Sequence, residues 1–380
     1  MNWRLKWRRS WRQIIGAMAA VAAAGMLLGG AVGLGDAPMA RAASATSHTA
    51  TMPLYGIPHE TGKVTLPELS IDGPALWTQG QPSAPVGPMM VLAWTGTDHR
   101  LNYMFGNGGI HSFISGSKKI LSETSFVRPS VVRGIGSGGF TAPVALAWIG
   151  TDSGHHLNVL YSVPGSTARK LTLWNDTSFT SPSLEWLNVS EQGGTLLLAW
   201  AGTDAGHSLN IMQVHVTSQG LTQGSKATYW NYHSAGQPEL IQDRTFSSPF
   251  LYFLGWSDVT SHRITWAVSS DAKTWTQQPS FAEMSGSGPS LMGLNEELTH
   301  FPPFWMARAG TGADTSHHVN VLYALSYTEA TTNNTKATLP ETALGGPVVG
   351  FNLYQPGEEL IVAWTGTDAL HHVNLATLSV

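Results

Sequence analysis

From residue 63 onward, apolar and polar residues come in blocks with a regular order. An apolar run ends in Ala-Trp, a Gly-Thr-Asp turn follows, and a His, a Leu or Val and an Asn then lead into the next apolar run. Variants of this phrase occur six times, at residues 92–102, 146–158, 198–210, 254–265, 306–320 and 362–374. The marker positions are 52–56 residues apart, at Trp94, Trp148, Trp200, Trp256, Arg308 and Trp364. So regular a period predicts one supersecondary unit that is stacked repeatedly.

Each period contains four strand signals in the same order. The first strand follows a proline, whose missing N–H costs no ladder hydrogen bond at the start of a strand. The second is the apolar run, which lacks polar alternation and is therefore expected to be buried on both faces. The third follows the His-x-Leu-Asn element. The fourth follows a lysine, a residue that often protects the edge strand of a sheet. These lysines are Lys63, Lys118, Lys119, Lys170, Lys226, Lys273 and Lys336.

The two ends of the repeat region complement each other. The last period ends at Val380 after three strand signals, whereas the segment KVTLPE at 63–68 matches KATLPE at 336–341, a fourth strand. We therefore expect residues 63–68 to supply the outer strand of the last unit and to close a ring. The sequence predicts an all-β fold over residues 63–380, a six-bladed β-propeller of four-stranded antiparallel blades with about 54 residues per repeat.

The first 42 residues have a different composition. Five basic residues and no acidic residue precede an apolar stretch from Ile14 to Leu34, and Ala40-Arg41-Ala42 resembles a cleavage site. This pattern predicts a secretory signal peptide over residues 1–42, followed by a loose leader over 43–62. An uncleaved membrane anchor is the alternative, because the apolar stretch can just span a bilayer.

Charge and cysteine content narrow the function. Without residues 1–42 the chain keeps 14 Lys and Arg against 23 Asp and Glu, a formal charge of 14 − 23 = −9. Such a surface disfavours binding to nucleic acid and to anionic lipid. The chain has no Cys, so its core must hold without disulfides. We expect a secreted protein without stable membrane insertion once the signal is cleaved; the sequence leaves its oligomeric state open.

One turn carries a family motif. Residues 269–275 read Ser-Ser-Asp-Ala-Lys-Thr-Trp and fall between the third and fourth strands of their unit. They resemble the Asp-box, Ser-x-Asp-x-Gly-x-Thr-Trp, but are one residue shorter and lack the Gly. The chain thus resembles the sialidase-like, Asp-box-containing superfamily of six-bladed β-propellers at the level of fold.

The repeated polar residues predict structural turns. An Asp leaves each second strand, at Asp98, Asp152, Asp204, Asp258, Asp314 and Asp368, and histidines follow, at His99, His155, His156, His207, His262, His317, His318, His371 and His372. We expect Asp to accept hydrogen bonds from the His ring and from nearby backbone, and Asn to hold the turn. Two alternatives stay open, a metal site and a site for sugars between adjacent turns. We expect no metal and no cofactor, because equivalent turns of a ring lie well apart.

Departures from the repeat mark candidate binding residues. Arg308 replaces a Trp; it is predicted either to contact a ligand or to be structural, with a snorkelling side chain or a lone salt bridge. Arg100 and Arg263 stand beside turn histidines. First strands line the channel of a propeller, so Trp77, Arg128, Glu185, Trp186 and Glu239 are expected to meet around a central well that suits a small ligand.

Three functions fit these features. The first is a secreted module that binds glycans or another small polar ligand, using groups repeated around the ring; the architecture also resembles six-bladed fungal-type lectins, whose motifs are absent. The second is a sialidase-like exo-glycosidase, which the resemblance implies would need three Arg, an Asp and a Tyr–Glu pair. The seven arginines after residue 42 show no spacing that singles out such a triad, and the catalytic residues stay unassigned. The third is an extracellular scaffold for a protein partner.

Overall fold

The structure is a computed structural model of the 380-residue chain. It describes residues 56–78, 90–107, 109–113, 115–134, 142–190, 193–242, 252–293, 304–309, 316–324, 331, 334–352 and 359–379. The predicted signal peptide and most of the predicted leader lie outside the described residues. In the described part, no helix has the length and apolar character needed to cross a membrane.

The described strands form six four-stranded antiparallel sheets. In chain order the strands are β1 (His59–Leu69), β2 (Ala75–Thr78), β3 (Met90–Thr95), β4 (Arg100–Gly106), β5 (Lys119–Thr124), β6 (Ser130–Arg133), β7 (Val144–Ile149), β8 (His156–Ser162), β9 (Arg169–Thr177), β10 (Ser183–Ser190), β11 (Gly193–Ala201), β12 (Ser208–Thr217), β13 (Gly220–His233), β14 (Glu239–Gln242), β15 (Tyr252–Ser257), β16 (Ile264–Ser269), β17 (Thr276–Gln277), β18 (Ser290–Gly293), β19 (Phe304–Ala309), β20 (His318–Ala324), β21 (Asn334–Thr342), β22 (Val348–Asn352), β23 (Glu359–Thr365) and β24 (His372–Ser379). Blades 1 to 5 contain β2–β5, β6–β9, β10–β13, β14–β17 and β18–β21, and blade 6 contains β22–β24 with β1. Two short 3₁₀ turns, Ile110–Ser112 and Ser115–Ser117, interrupt the connection between β4 and β5. The predicted six-bladed β-propeller is confirmed.

The amino-terminal strand closes the ring, as the matching segments predict. β1 pairs antiparallel with β24, with Lys63 opposite Ala376 and Thr65 opposite Asn374. The strand begins at His59, so residues 59–62, which the sequence analysis assigned to the leader, belong to the last blade. Blade 6 thus takes one strand from the start of the repeat region and three from its end, and the closed ring leaves no blade without a neighbour.

One outer strand differs from its prediction. The sequence places the fourth strand of blade 4 at residues 273–276, but the strand is Thr276–Gln277. Residues 269–275 form the Asp-box turn instead, in which the Asp271 carboxylate accepts the backbone N–H groups of Lys273 at 2.8 Å and Thr274 at 2.7 Å. These hydrogen bonds lower the pKa of Asp271 well below its usual range. The carboxylate therefore holds these residues in a turn and takes them out of the strand.

The hydrophobic core lies between blades. The strands β3, β7, β15 and β19 are buried along their whole length. One core cluster joins Val91 and Leu101 of blade 1 to Leu146 and Trp148 of blade 2. The five repeated indoles are almost fully buried: Trp94, Trp148, Trp200, Trp256 and Trp364. Large aromatic side chains contribute much of the burial free energy of a core, so each indole stabilises the contact between two blades.

Serine hydroxyls join the inner strands around the axis. The Ser130 hydroxyl accepts the N–H of Leu184 in the next blade at 3.0 Å, and the Ser183 hydroxyl accepts that of Leu240 at 2.9 Å. Each of these serines directly follows the proline at the start of its inner strand. Glu239 holds the same position in blade 4, which places its carboxyl group at the axis.

A second repeated contact, which we call the outer belt, joins the outer strands of adjacent blades. A Lys ammonium lies 5.1–5.4 Å from the ring centroid of its own blade's Trp and forms an ion pair with an acid of the preceding blade. The four complete copies are Glu341–Lys63–Trp364, Glu68–Lys118–Trp94, Glu123–Lys170–Trp148 and Asp176–Lys226–Trp200. Each Lys therefore combines a cation–π contact with an interblade salt bridge.

The outer belt changes in two blades. At blade 4 the acid is replaced by Tyr232, whose ring stacks on Trp256 with centroids 5.0 Å apart. Lys273 forms no ion pair with any residue that the structure describes. At blade 5 the Trp is replaced by Arg308, which pairs with Glu283 and donates to the carbonyl of Met284 at 2.8 Å. Each departure from the repeat thus has its own partner from the preceding blade.

The outer belt predicts unequal effects of two lysine substitutions. Lys226→Ala removes the partner of Asp176, which is 5% exposed, and should lower the free energy of unfolding by about 1–3 kcal/mol. Lys273→Ala is the matched control and should change it by less than about 0.5 kcal/mol. Urea unfolding of both variants measures the difference. Equal losses would show that the ion pair does not stabilise the ring.

Ring closure predicts that β1 is required for folding. Deletion of residues 1–69 exposes the edge of β24 and should abolish the cooperative thermal transition, whereas deletion of residues 1–55 should retain it. A synthetic peptide of residues 56–70, added to the shorter chain, should restore the transition. Normal folding of the chain that lacks β1, without peptide, would contradict this role. Calorimetry and size-exclusion chromatography provide the measurements.

Candidate functional site

In each described turn, the repeated Asp accepts hydrogen bonds from its own turn. In blades 2 and 6 the Asp carboxylate also accepts a hydrogen bond from a histidine ring. His156 Nδ1 lies 2.5 Å from Asp152 Oδ1, and His372 Nδ1 lies 2.8 Å from Asp368 Oδ1. In the other described blades the carboxylate accepts backbone N–H groups or hydroxyls, at Asp98, Asp204 and Asp258. Asp314 lies outside the described residues.

In four of the turns these hydrogen bonds keep the Asp carboxyl group ionised. Burial raises the pKa of Asp152, but the hydrogen bonds from the His156 ring and backbone outweigh burial and hold the pKa below its ordinary value. The balance is the same for Asp204, Asp258 and Asp368, where donors of each turn oppose burial. These four turns therefore present fixed negative charges.

One histidine per turn adopts a left-handed backbone conformation. His99, His155, His207, His262, His317 and His371 have φ between 51° and 64°. His is one of the few non-glycine residues that populate this region readily. The carbonyl group of this histidine accepts an N–H from the linker to the next blade, from Ser125 to His99 at 2.9 Å for example. The turn thus holds the backbone of this histidine in place.

Two further repeated groups fix the turns, and one of them was missed in the sequence. The Asn of the repeat donates from Nδ2 to a backbone carbonyl and accepts a Thr hydroxyl from the outer strand; Asn158, for example, accepts Thr172 at 2.7 Å. The missed group is a buried serine in the linker, such as Ser178, whose hydroxyl donates to the Thr180 carbonyl at 2.7 Å. This position lies four residues before the inner-strand proline in every copy; it is Ser at Ser70, Ser125, Ser178, Ser234 and Ser285, and Ala at Ala343. That fixed spacing was the available signal.

Exposed aromatic side chains lie beside the turn histidines. Phe126 lies between two turns, 5.4 Å from His99 and 5.9 Å from His155 between ring centroids. Phe179 lies 3.9 Å from His207. Trp174 of β9 is 69% exposed and meets the ring of His156 at 5.1 Å. We call the surface formed by the turn Asp and His residues with their aromatic neighbours the rim surface. The sequence analysis did not predict the aromatic residues of this surface.

The turns do not converge on one point. Among the described residues, no three His, Asp or Glu side chains lie close enough together to hold a metal ion. The histidines that begin the third strands, His156, His318 and His372, belong to three different blades. The described part of the rim is therefore a series of separate polar surfaces.

A second polar group lies on the axis. Arg128 is 2% exposed and belongs to the linker before blade 2. Its guanidinium donates from Nε to Gln237 before blade 4 and from Nη1 to the Gly346 carbonyl before blade 6 at 2.8 Å. Blades 2, 4 and 6 alternate around the ring, so a side chain that reaches all three lies across the axis. Arg128 thus closes one end of the central channel.

The channel behind Arg128 combines charge with apolar walls. Its cavity of about 130 Å³ is lined by inner-strand residues, including Leu76, Leu240, Leu291 and the carboxyl groups of Glu185 and Glu239. Burial raises the pKa of Glu239 to about 7; Arg128 opposes this shift and the charge of Glu185 adds to it. Burial also lowers the pKa of Arg128. The two charged groups thus share a site of low polarity.

The structure separates the remaining predicted residues. Trp77 lines the channel, and its ring lies 6.0 Å from the Arg133 guanidinium. Trp186 is buried in the core between blades 2 and 3, where its Nε1 donates to the Arg133 carbonyl at 3.0 Å. Trp186 is not among the residues that line the cavity with Trp77, Arg128, Glu185 and Glu239, because its indole is buried in the core; the partly buried Trp77 packs against the same core cluster.

The other predicted arginines are also dispersed. Arg100 donates to the Leu121 carbonyl at 3.1 Å on the outer edge of blade 1, and Arg263 lies at the exposed turn beside His262. Arg308 belongs to the outer belt. Among the described residues that line the channel there is no Tyr and one arginine, Arg128. Among the described lining residues, the three arginines that the sialidase resemblance implies are not found together; Arg244 lies outside the described residues.

The fold is shared with known proteins. No protein-family profile and no curated protein sequence matches the chain. Among solved structures, a mutant of the Aleuria aurantia lectin in complex with α-methyl-L-fucoside matches at 10% identity with a TM-score of 0.54, over 80% of this chain and 90% of that chain. A mutant of AofleA from Arthrobotrys oligospora matches at 10% identity with a TM-score of 0.52, over 85% and 91%.

A glycosidase also shares the architecture. Hadza microbial sialidase Hz136 matches at 13% identity with a TM-score of 0.53, over 82% of this chain and 66% of that chain. At these identities the similarity concerns the fold alone, and it agrees with the predicted six-bladed β-propeller. Function lies in sites carried by a fold rather than in the fold itself.

The axial charges predict a pH dependence of stability. The pKa of Glu239 in the folded chain is about 7 against an ordinary 4.5, so the folded state binds more protons between these values. Stability should therefore be greatest below the lower pKa and fall as pH rises through about 7, by on the order of 2 kcal/mol. Glu239→Gln should remove this component, so its stability relative to the native chain should rise from pH 5 to 8. Urea unfolding across this range measures it; parallel pH profiles would contradict the shift.

Proposed function

We propose that this protein is a secreted β-propeller that binds carbohydrate through its rim surface. The observation that carries the proposal is the exposed indole of Trp174 beside the His156–Asp152 hydrogen-bonded pair. A sugar ring has an apolar C–H face and a polar edge of hydroxyl groups. An exposed aromatic face with fixed polar groups at its side matches both.

The arrangement of the turn supports binding without further ordering. The Asp152 carboxylate accepts the backbone N–H of Gly154 at 3.0 Å in addition to the His156 ring, so its oxygens are held in place. The imidazole is fixed between this carboxylate and the Trp174 ring. Pre-organised groups lose little conformational entropy on binding, which favours affinity for a weakly held polar ligand.

Repetition around the ring supports a multivalent glycan partner. Trp230 of blade 3, 68% exposed, stands four residues after Lys226, as Trp174 does after Lys170. Phe126 and Phe179 provide further exposed aromatic groups beside turn histidines. Several weak sites on one rigid body raise the overall avidity for a surface that displays many glycans. The fold similarity to fucose-binding lectins agrees with this function.

The location is part of the same proposal. The basic and apolar amino-terminal pattern supports residues 1–42 as a cleaved signal peptide and an extracellular β-propeller that follows it. The absence of Cys is compatible with export, because the core between blades does not depend on disulfides. The net negative charge of the remaining chain favours a neutral glycan over an anionic one.

Binding assays with aromatic variants test the proposal. A glycan array, followed by calorimetric titration with α-methyl-L-fucoside and the array's strongest ligands, should detect binding by the chain from residue 56 onward. Trp174→Ala should weaken binding at its site at least tenfold, which corresponds to about 1.4 kcal/mol. Ile120→Ala is the matched control, because Ile120 is also an exposed apolar residue of an outer strand, at 54% exposure, but is not part of the rim surface. It should leave affinity unchanged.

Two outcomes would contradict the rim surface as the site. Absence of binding in both the array and the titrations would exclude the carbohydrate function. Binding that Trp174→Ala and Trp230→Ala leave intact, singly and together, would place the glycan elsewhere. Circular dichroism of each variant serves as the control for folding, because both indoles are exposed and their removal should leave the core intact.

A further inference from the structure

One boundary of the outer belt lacks its ion pair. In the four complete copies, the Lys of each blade pairs with an acid of the preceding blade. At the boundary between blades 3 and 4 the acid is replaced by Tyr232. The side chain of the exposed Lys273 forms no ion pair and no hydrogen bond with any residue that the structure describes. Its ammonium group is therefore available to an anion from outside the chain.

A cavity of about 270 Å³, which we call the belt cavity, lies at the same boundary. Its lining comes from strands β11 to β13 of blade 3 and from Ala272 and Lys273 in the Asp-box turn of blade 4. The outer strand of blade 4 begins only at Thr276, so a turn covers this part of blade 3. In blade 3, residues 224 and 225 of β13 lie opposite the single residue Gln213 of β12, which forms a β-bulge beside the cavity. The belt cavity thus lies where both blades depart from the regular repeat.

The floor of the belt cavity is apolar. Leu197, Ile211 and Ala272 line it, and all three are buried residues of the core cluster that joins blades 3 and 4. Ala227 and Tyr229 of β13 form part of the wall. A hydrocarbon group placed on this floor would be removed from water, which favours binding.

Three polar side chains of the lining have hydrogen-bonding capacity to spare. Gln213, Ser225 and Lys273 have no side-chain hydrogen bond to any other described residue. Together they offer the N–H groups of an ammonium and an amide and the O–H of a hydroxyl. The ammonium of Lys273 ends a flexible stem of four carbon atoms, so it can reach a ligand in the cavity that the residue lines. Lys226 also lines the cavity, but its ammonium already pairs with Asp176.

The nearest carboxylate of the turn does not compensate Lys273. The carboxylate of Asp271 accepts the backbone N–H groups of Lys273 and Thr274 and the hydroxyl of Ser269 at 2.9 Å, and Asp271 is not among the residues that line the cavity. Burial and the charge of Asp271 raise the pKa of Tyr229, so its hydroxyl group stays protonated and donates to the Lys273 carbonyl at 2.5 Å. The uncompensated charge of the lining is thus positive.

These features define the ligand. We propose that the belt cavity binds an organic monocarboxylate with an aliphatic or aromatic hydrocarbon body, with the carboxylate at Lys273, Ser225 and Gln213 and the hydrocarbon on the apolar floor. The ligand supplies the carboxylate that the outer belt lacks at this boundary. A cavity with an apolar floor and a few converging polar groups is the usual form of a small-molecule site. The inference does not depend on carbohydrate binding at the rim surface.

Ligand-observed NMR with a defined panel tests the inference. The purified protein is mixed at neutral pH with benzoate, phenylacetate, hexanoate or octanoate, and the acids that bind are titrated by calorimetry. At least one of these acids should bind. Its primary amide keeps the hydrocarbon body but has no charge, and acetate keeps the charge but has almost no body. Each should bind at least about tenfold more weakly than the acid.

Variants assign the binding to the belt cavity. Lys273→Met removes the charge and keeps an unbranched side chain; it should weaken the acid at least about tenfold and leave the affinity for the amide unchanged. Lys119→Met is the matched control, because Lys119 is an exposed lysine of outer strand β5 that does not line the cavity. It should leave both affinities unchanged. Ala227→Phe fills part of the cavity and should weaken both ligands.

Three results would overturn the inference. The first is that none of the four acids binds. The second is that the amide or acetate binds as tightly as the acid. The third is that Lys273→Met keeps the native affinity, or that Lys119→Met loses as much affinity as Lys273→Met does. Circular dichroism checks the folding of each variant. If Ala227→Phe fails to fold, the two lysine variants and the two analogues still decide the question.

Discussion

The whole structure depends on one constraint: the central strands of each blade are apolar on both faces and can be buried only between two neighbouring blades. A blade with one neighbour would expose a row of large apolar side chains such as Trp148 and Leu146 to water. The ring must therefore close, and the amino-terminal strand β1 pairs with the carboxy-terminal strand β24 to complete blade 6. Closure of the ring is thus a consequence of the need to bury the apolar central strands.

The polar contacts between blades follow from the same constraint. Where two outer strands meet at the edge of the core, a Lys covers the buried indole and reaches an acid of the preceding blade. When the indole is absent, as at Arg308, the guanidinium is close enough to take the acid Glu283 itself. Burial raises the pKa of Glu283, but Arg308 and Lys336 outweigh it and lower the pKa below its ordinary value. The broken repeat is thus a rearranged interblade contact.

Two polar regions remain after the blades are joined, and their physics differs. The rim surface consists of ionised turn carboxylates and fixed imidazoles in contact with solvent, with exposed indoles such as Trp174 beside them. The axis holds a cation and carboxyl groups in a narrow channel, where burial raises the pKa of Glu239 to about 7. Charges cost most where solvent is excluded, so the axial groups depend on each other and on what fills the channel.

The sequence by itself determined the number of blades, the order of strands within each blade and the closure by residues 63–68, because a regular period and a matching pair of segments are local patterns. The outer strand of blade 4 was the exception, since the hydrogen bonds of Asp271 outweighed the strand pattern. The left-handed histidines and the acids that pair with lysines of the next blade also occur at regular spacings, but their roles could be recognised only from the contacts in the structure. Only the tertiary structure decided that Arg128 meets Gln237 and Gly346, and that Trp186 turns into the core. Those contacts join blades that lie far apart in the chain, and their geometry exists only after all six blades have closed around one axis.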